Sequence, residues 1–89
     1  MVKAKTFKII NKLGIHARPA AKLVNVASQF KSKIFLVRDG QDVNGKSVLS
    51  ILTLACPCGT HITIKADGPD AEEAVEALGE LIEDKFGEE

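Results

Sequence analysis

Residues 60–66 read THITIKA, and no other stretch constrains the fold as tightly. Ile62, Ile64 and Ala66 fall on one side of the chain, and His61, Thr63 and Lys65 on the other. A period of two belongs to a strand with one buried face and one wet face. Gly68-Pro69-Asp70 then breaks the pattern. After it, Ala71, Ala74, Val75, Leu78, Leu81 and Ile82 form the single apolar stripe of a helix. Asp70, Glu72 and Glu73 suit the positive end of that helix's dipole. A one-faced strand and a one-striped helix cover each other when the helix lies on the sheet, so two layers are expected.

The remaining elements fit the same plan. Residues 3–10 (KAKTFKII) read as a strand with Phe7 and Ile9 on one face, followed by a turn from Asn11 to Gly14. Ala20, Leu23, Val24 and Ala27 follow helical spacing, and Pro19 falls in the first turn, where a missing N–H costs nothing. Residues 33–38 (KIFLVR) are β-branched and aromatic, as in a strand, and Asp39-Gly40 reads as a hairpin turn into a short strand over 41–43. Ser47 is placed to cap a short helix from Val48 to about Leu54, which Pro57 must stop. The order is βαββαβα. The expected class is α+β, with helices on one face of a largely antiparallel sheet and the other face partly solvated.

With 89 residues, the chain is expected to form a single domain, 1–89, with one small core. No run approaches the roughly 18 apolar residues of a membrane span. The N-terminus lacks the apolar core and small-residue cleavage site of an export signal, so a cytoplasmic location is expected, with no membrane insertion. Net charge is zero but uneven: residues 1–49 hold ten Lys/Arg against two Asp, and residues 50–89 hold two Lys against ten Asp/Glu. A basic half steers anionic partners. Nucleic acid is disfavoured as that partner, because Trp and Tyr are absent and only four Phe are available for base stacking.

Two stretches of the basic half look suited to phosphate. GQDVNGKS at 40–47 satisfies the spacing of a nucleotide-binding loop. Such a loop joins a buried parallel strand to a long helix, and another strand supplies an acidic residue for Mg²⁺. Here a hairpin turn precedes it, a helix of about two turns follows, and no later strand supplies the acid. Gly40 as a turn residue and Ser47 as a helix cap account for the letters without a nucleotide.

GIHARPA at 14–20 carries more chemistry. His16 stands at a helix start, and Ala17 and Arg18 are the first helical residues, with N–H groups that lack intrahelical acceptors. Such groups, with the dipole, favour an anion, and Arg18 adds a cationic fork that matches phosphate oxygens. A neutral imidazole carries a lone pair able to attack phosphorus. Arg18 and the dipole favour that neutral ring and then stabilise the phosphoryl group it accepts. Gly14 permits the tight turn that exposes the ring. By itself a lone His-x-Arg-Pro reads better as an exposed histidine at a helix cap beside an unrelated arginine.

The combination is more specific. GIHARPAAKLV at 14–24, NGKSVLSILTLA at 44–55 and DGPDAEEAVEAL at 67–78 resemble the HPr family, the histidine-containing phosphocarrier proteins of the phosphoenolpyruvate-dependent phosphotransferase system. The resemblance covers nearly the whole chain. It implies an open-faced sandwich with a four-stranded antiparallel sheet in the order 1-4-2-3 and three helices on one face. It implies that His16 accepts a phosphoryl group on Nδ1 from enzyme I and passes it to an EIIA-type domain, with Arg18 stabilising the phosphate. It also implies a relay protein rather than an enzyme, with no cofactor. Ser47 matches a serine that an ATP-dependent kinase (an HPr kinase/phosphorylase) phosphorylates in this family. By position, partners are expected to dock on Ala20 beside the site and on Val48, Leu49 and Leu52 of the short helix, while Ile51 reads as core. Sugar transport and a regulatory, nitrogen-type relay both stay open.

Cys56-Pro57-Cys58 with His61 lies outside these motifs. Three metal ligands without a fourth make a poor zinc site, so no metal is expected. A bridge across so short a loop would be strained. The stretch reads as a turn that happens to hold two thiols, with redox sensing left open.

Overall fold

A computed structural model describes residues 1–88. The element order is β1 (Val2–Lys8), α1 (Ala17–Ala27), β2 (Lys33–Arg38), β3 (Gln41–Asn44), α2 (Val48–Leu52), β4 (His61–Asp67) and α3 (Ala71–Glu83), followed by a 3-10 turn at Lys85–Gly87. The strands form one sheet in the order β1-β4-β2-β3, with every neighbouring pair antiparallel. β4 is central, paired with β1 through Thr6 opposite Thr63 and with β2 through Leu36 opposite Ile64. This is the open-faced sandwich expected.

The core lies between sheet and helices. Ile62, Ile64 and Ala66 of β4 and Ile34 and Leu36 of β2 meet Leu23 of α1, Ile51 of α2 and Leu78 and Ile82 of α3. The other sheet face is polar: Thr6 and Thr63 share a hydrogen bond of 2.8 Å, and Lys65 lies 3.6 Å from Asp42. Phe7 packs where Gly79 of α3 leaves room, and a Cβ on Gly79 would overlap its ring. The turn between β2 and β3 has Asp39 at φ 51° and Gly40 at φ 81°, two left-handed residues in succession, as a two-residue hairpin needs.

β1 begins at Val2 and β4 runs from His61 to Asp67, each within one residue of the sequence reading, and three further boundaries differ. β1 ends at Lys8 rather than at residue 10 because Ile9 leaves the ladder. Its N–H donates to Thr60 O and its carbonyl accepts from Gly59 N, both in the loop before β4. β3 runs one residue further, to Asn44, which pairs with Phe35. α2 ends at Leu52, short of Leu54, because Ala55 turns left-handed at φ 51° before Pro57 is reached. Arg38 stabilises that exit by donating to the carbonyls of Leu54, at 2.8 Å, and Ala55. These bonds satisfy carbonyls of the turn that follows the helix.

Candidate functional site

The loop before α1 is shaped by two backbone constraints. Gly14 has φ 70°, and a Cβ there would overlap the Cys56 carbonyl and Pro57 Cα. Only glycine suits both the conformation and the close approach. Ile15 N–H then donates to Cys56 O at 2.8 Å, tying the loop to the Cys56-Pro57 turn. The turn that the sequence reading left without a role is thus the backing of the loop that carries His16. Cys56 is buried there, and burial pushes its thiol up from its ordinary value against the lowering effect of Arg38. Cys58 is exposed. Among the described residues, no three His, Cys, Asp or Glu side chains gather as a metal site would require.

His16 is the N-cap residue of α1, with extended backbone (φ −100°, ψ −167°) and no side-chain bond to the helix. An N-cap Ser or Asp would turn its oxygen back onto the first turn. The imidazole does not, so its ring faces outward while the N–H groups of Ala17 and Arg18 stay uncapped by it. Pro19, buried in the first turn, has no N–H to satisfy. Arg18 is exposed. Lys12, His16, Arg18, Lys22 and Glu88 line one shallow depression. His16 Nε2 lies 3.0 Å from Glu88 Oε2, with the two side chains 39% and 19% exposed, so solvent and incoming groups reach the ring but not freely the carboxylate.

Ser47 caps α2 in the ordinary way, its Oγ accepting from Ser50 N–H at 3.2 Å. Leu49 is 78% exposed, and Val48 and Leu52 are partly buried against the core. Ile51 is buried, as expected. α1 and α2 pack on each other, so the exposed side of α2 borders the helix that carries His16. The expectation for Ala20 is corrected: it is fully buried. Its spacing with Leu23 and Ala27 puts it on the inward stripe of α1, and one methyl group cannot serve both core and surface. Ala17 and Ala21 are the exposed alanines of that helix.

Two parts of the site escaped the sequence reading. Asn11 is fully buried, and its Nδ2 donates to Gly14 O at 2.7 Å and to Glu88 Oε1 at 3.0 Å. The C-terminal turn, read only as the end of an acidic helix, brings Glu88 back to His16. Lys85, Phe86 and Gly87 have φ values of 56°, 57° and 73°. Left-handed non-glycine residues cost roughly 1–2 kcal/mol each. Burial of Phe86, which is fully enclosed, offsets this. A lone aromatic three residues past the helix, with Gly87 next to it, was the available signal.

An open-faced sandwich with an outward histidine at an uncapped helix start and nearby cations is suited to an anion such as phosphate. Comparison with known proteins narrows this. The family described as the PTS HPr component phosphorylation site matches residues 3–84. The phosphocarrier protein HPr of Treponema pallidum is 45% identical over 96% of this chain and 97% of its own. That of Cupriavidus necator is 46% identical over 90% of each. A crystal structure of HPr from Thermoanaerobacter tengcongensis superposes with a TM-score of 0.94 at 48% identity, covering 98% of both chains. The chain belongs to the HPr family and has the phosphocarrier role of that family in the phosphotransferase system. No helix among the described residues is long and apolar enough to cross a membrane.

Proposed function

We propose that His16 is the phosphoryl acceptor of this carrier. Its Nδ1 takes the group from phosphorylated enzyme I and hands it to an EIIA-type domain, in the cytoplasm and without turnover of its own. The single carrying observation is the histidine at the start of α1 that leaves that helix uncapped. The N–H groups of Ala17 and Arg18 and the Arg18 guanidinium then have the anionic phosphoryl oxygens to bind. Residues 1–89 act as one carrier domain. Partners dock on the exposed side of α2 around Leu49, with Val48 and Leu52 at its margins, beside the His16 loop. A kinase adds phosphate at Ser47 and so damps docking.

Enzyme I and phosphoenolpyruvate test this reading by intact mass. The wild-type chain is expected to gain one phosphoryl group and His16→Ala none. A His16→Ala chain that still gains one would remove His16 from the role.

A further inference from the structure

The left-handed turn after α3 serves a contact as well as a core. Phe86 anchors it, and Lys22 Nζ donates to the Phe86 carbonyl at 2.5 Å. Glu88 then presents one carboxylate to two nitrogens. Oε1 accepts from Asn11 Nδ2 and Oε2 from His16 Nε2, each at 3.0 Å. Asn11 is itself fixed by burial and by its bond to Gly14 O. The ring is therefore held from the turn that precedes it, through Asn11 and Glu88.

An ionised carboxylate only accepts hydrogen bonds, so Nε2 must carry the hydrogen of this contact. In the neutral ring the lone pair then lies on Nδ1. We propose that Glu88 is the positioning residue of the transfer site: it holds His16 in the Nε2–H tautomer, which leaves Nδ1 as the nucleophile, and it offsets the charge of the phosphorylated ring. The proposal rests on His16 being the acceptor. In the step, the Nδ1 lone pair forms the N–P bond. The donor's bond to phosphorus breaks, and its electron pair leaves with the donor. Nε2 keeps its hydrogen, so the ring becomes positively charged where Glu88 meets it, as an aspartate steadies the imidazolium of a catalytic triad. Handing the group on reverses these changes. The other charged side chains lining the depression, Lys12, Arg18 and Lys22, are cations, which favour the phosphate but oppose a positive ring. Glu88 is the one acidic group lining it among the described residues. It also occupies the approach to Nε2 and repels an anion there, which keeps the chemistry on Nδ1.

Long-range ¹H–¹⁵N correlation spectra of the free, ¹⁵N-labelled chain read the tautomer without any partner. Wild type is expected to show the Nε2–H form of His16. Glu88→Gln should lose that preference, because its single amide oxygen cannot accept from both Asn11 Nδ2 and His16 Nε2 and its NH2 group only donates. Glu88→Ala should shift His16 towards a mixture of tautomers, while the signals of His61, exposed on β4, stay in place and report an intact fold. Single-turnover transfer from saturating phosphorylated enzyme I should slow about tenfold in Glu88→Ala, the loss of one charge-assisted bond. An unchanged His16 tautomer in Glu88→Ala would overturn the proposal, as would a tautomer shift with no change in rate. A wild-type chain that takes no phosphate at all would remove the proposed function and the transfer role with it. The spectra would then still decide whether Glu88 sets the tautomer.

Discussion

Residues 14–20 and 40–47 both run through a glycine into the start of a helix, and both looked suited to phosphate. They differ in what the N-cap side chain does. Ser47 folds its hydroxyl back onto Ser50 N–H and consumes part of the anion-binding capacity of α2. His16 has no such bond, so α1 keeps its first N–H groups uncapped and sets a nucleophile beside them. Helix length adds to the contrast. α1 has 11 residues and α2 five, and a dipole sums over aligned peptides. The preceding chain differs as well. Gly14 is left-handed and pressed against the Cys56-Pro57 turn, whereas Gly45, just before α2, is not left-handed and is backed by the side chains of Ile34 and Leu36. The lesson is that a glycine before a helix start does not make a phosphate site. The capping side chain must also leave the N–H groups free.

The largest test of that contrast is Gly14→Ala. The left-handed backbone alone costs a side chain roughly 1–3 kcal/mol, and overlap with Cys56 and Pro57 adds to it. Thermal melting should drop by several degrees and transfer should slow strongly, because the His16 loop loses its seat. Gly40→Ala, with room for its methyl group, should be milder in melting and leave transfer unchanged. Equal effects at the two glycines would break the comparison.

Arg18→Ala comes next. The exposed guanidinium contributes little to folding, so melting should hold. Losing one charge-assisted contact to phosphate costs about 1.5–3 kcal/mol, or roughly tenfold to a hundredfold in rate if felt fully in the transition state. A wild-type transfer rate in this variant would exclude Arg18 from the site.

Ser47 should respond in the opposite sense. Ser47→Ala removes a cap and should lower stability by about 1 kcal/mol while transferring at the wild-type rate. Ser47→Asp keeps a capping oxygen and places a charge beside Leu49. It should melt like wild type and transfer roughly two- to fivefold more slowly, the scale of one exposed charge. Stability and transfer moving together in both variants would count against a docking role for this end of α2.

The smallest effect belongs to the third helix start, where Asp70 is structural. Its carboxylate accepts from Ser32 Oγ at 2.5 Å and from the N–H groups of Lys31 and Ser32, each at 2.9 Å. The Ser32 hydroxyl, then the Lys31 N–H, hold it down to about 2 from 3.8. A lowered folded value means that the stabilisation is complete above pH 3.8 and is lost as pH falls through 2. Asp70→Asn should therefore melt below wild type at neutral pH, with the gap closing towards pH 2 and transfer unaffected. A gap independent of pH would mean that charge plays no part there.

Much of this was readable from residue patterns. The alternation of 60–66 and the stripe of α3 define a two-layer fold, and His16, Arg18 and Ser47 stand where their motifs put them. The strand order came from family resemblance, since the patterns of β1 and β4 do not say that they are neighbours. The inward Ala20 was legible but overridden: its own spacing marked it as core, and resemblance moved it to the surface. Glu88 and Asn11 were not legible. The one signal for the left-handed turn, a lone Phe86 next to Gly87, does not say that the chain returns to His16, and a buried asparagine in a turn looks like any other turn asparagine. Their arrangement is a product of tertiary packing around Phe86.

The central claim is that the open helix start carries covalent phosphate and the capped one binds no nucleotide. ³¹P spectra of the chain after incubation with phosphoenolpyruvate and enzyme I, followed by acid treatment, test it most directly. The expected result is one phosphoramidate signal that disappears in acid, survives alkali and is missing from His16→Ala, with no signal change when Mg-ATP is added to the chain alone. A phosphate that survives acid, one that forms in His16→Ala, or saturable binding of Mg-ATP at micromolar concentration would contradict it.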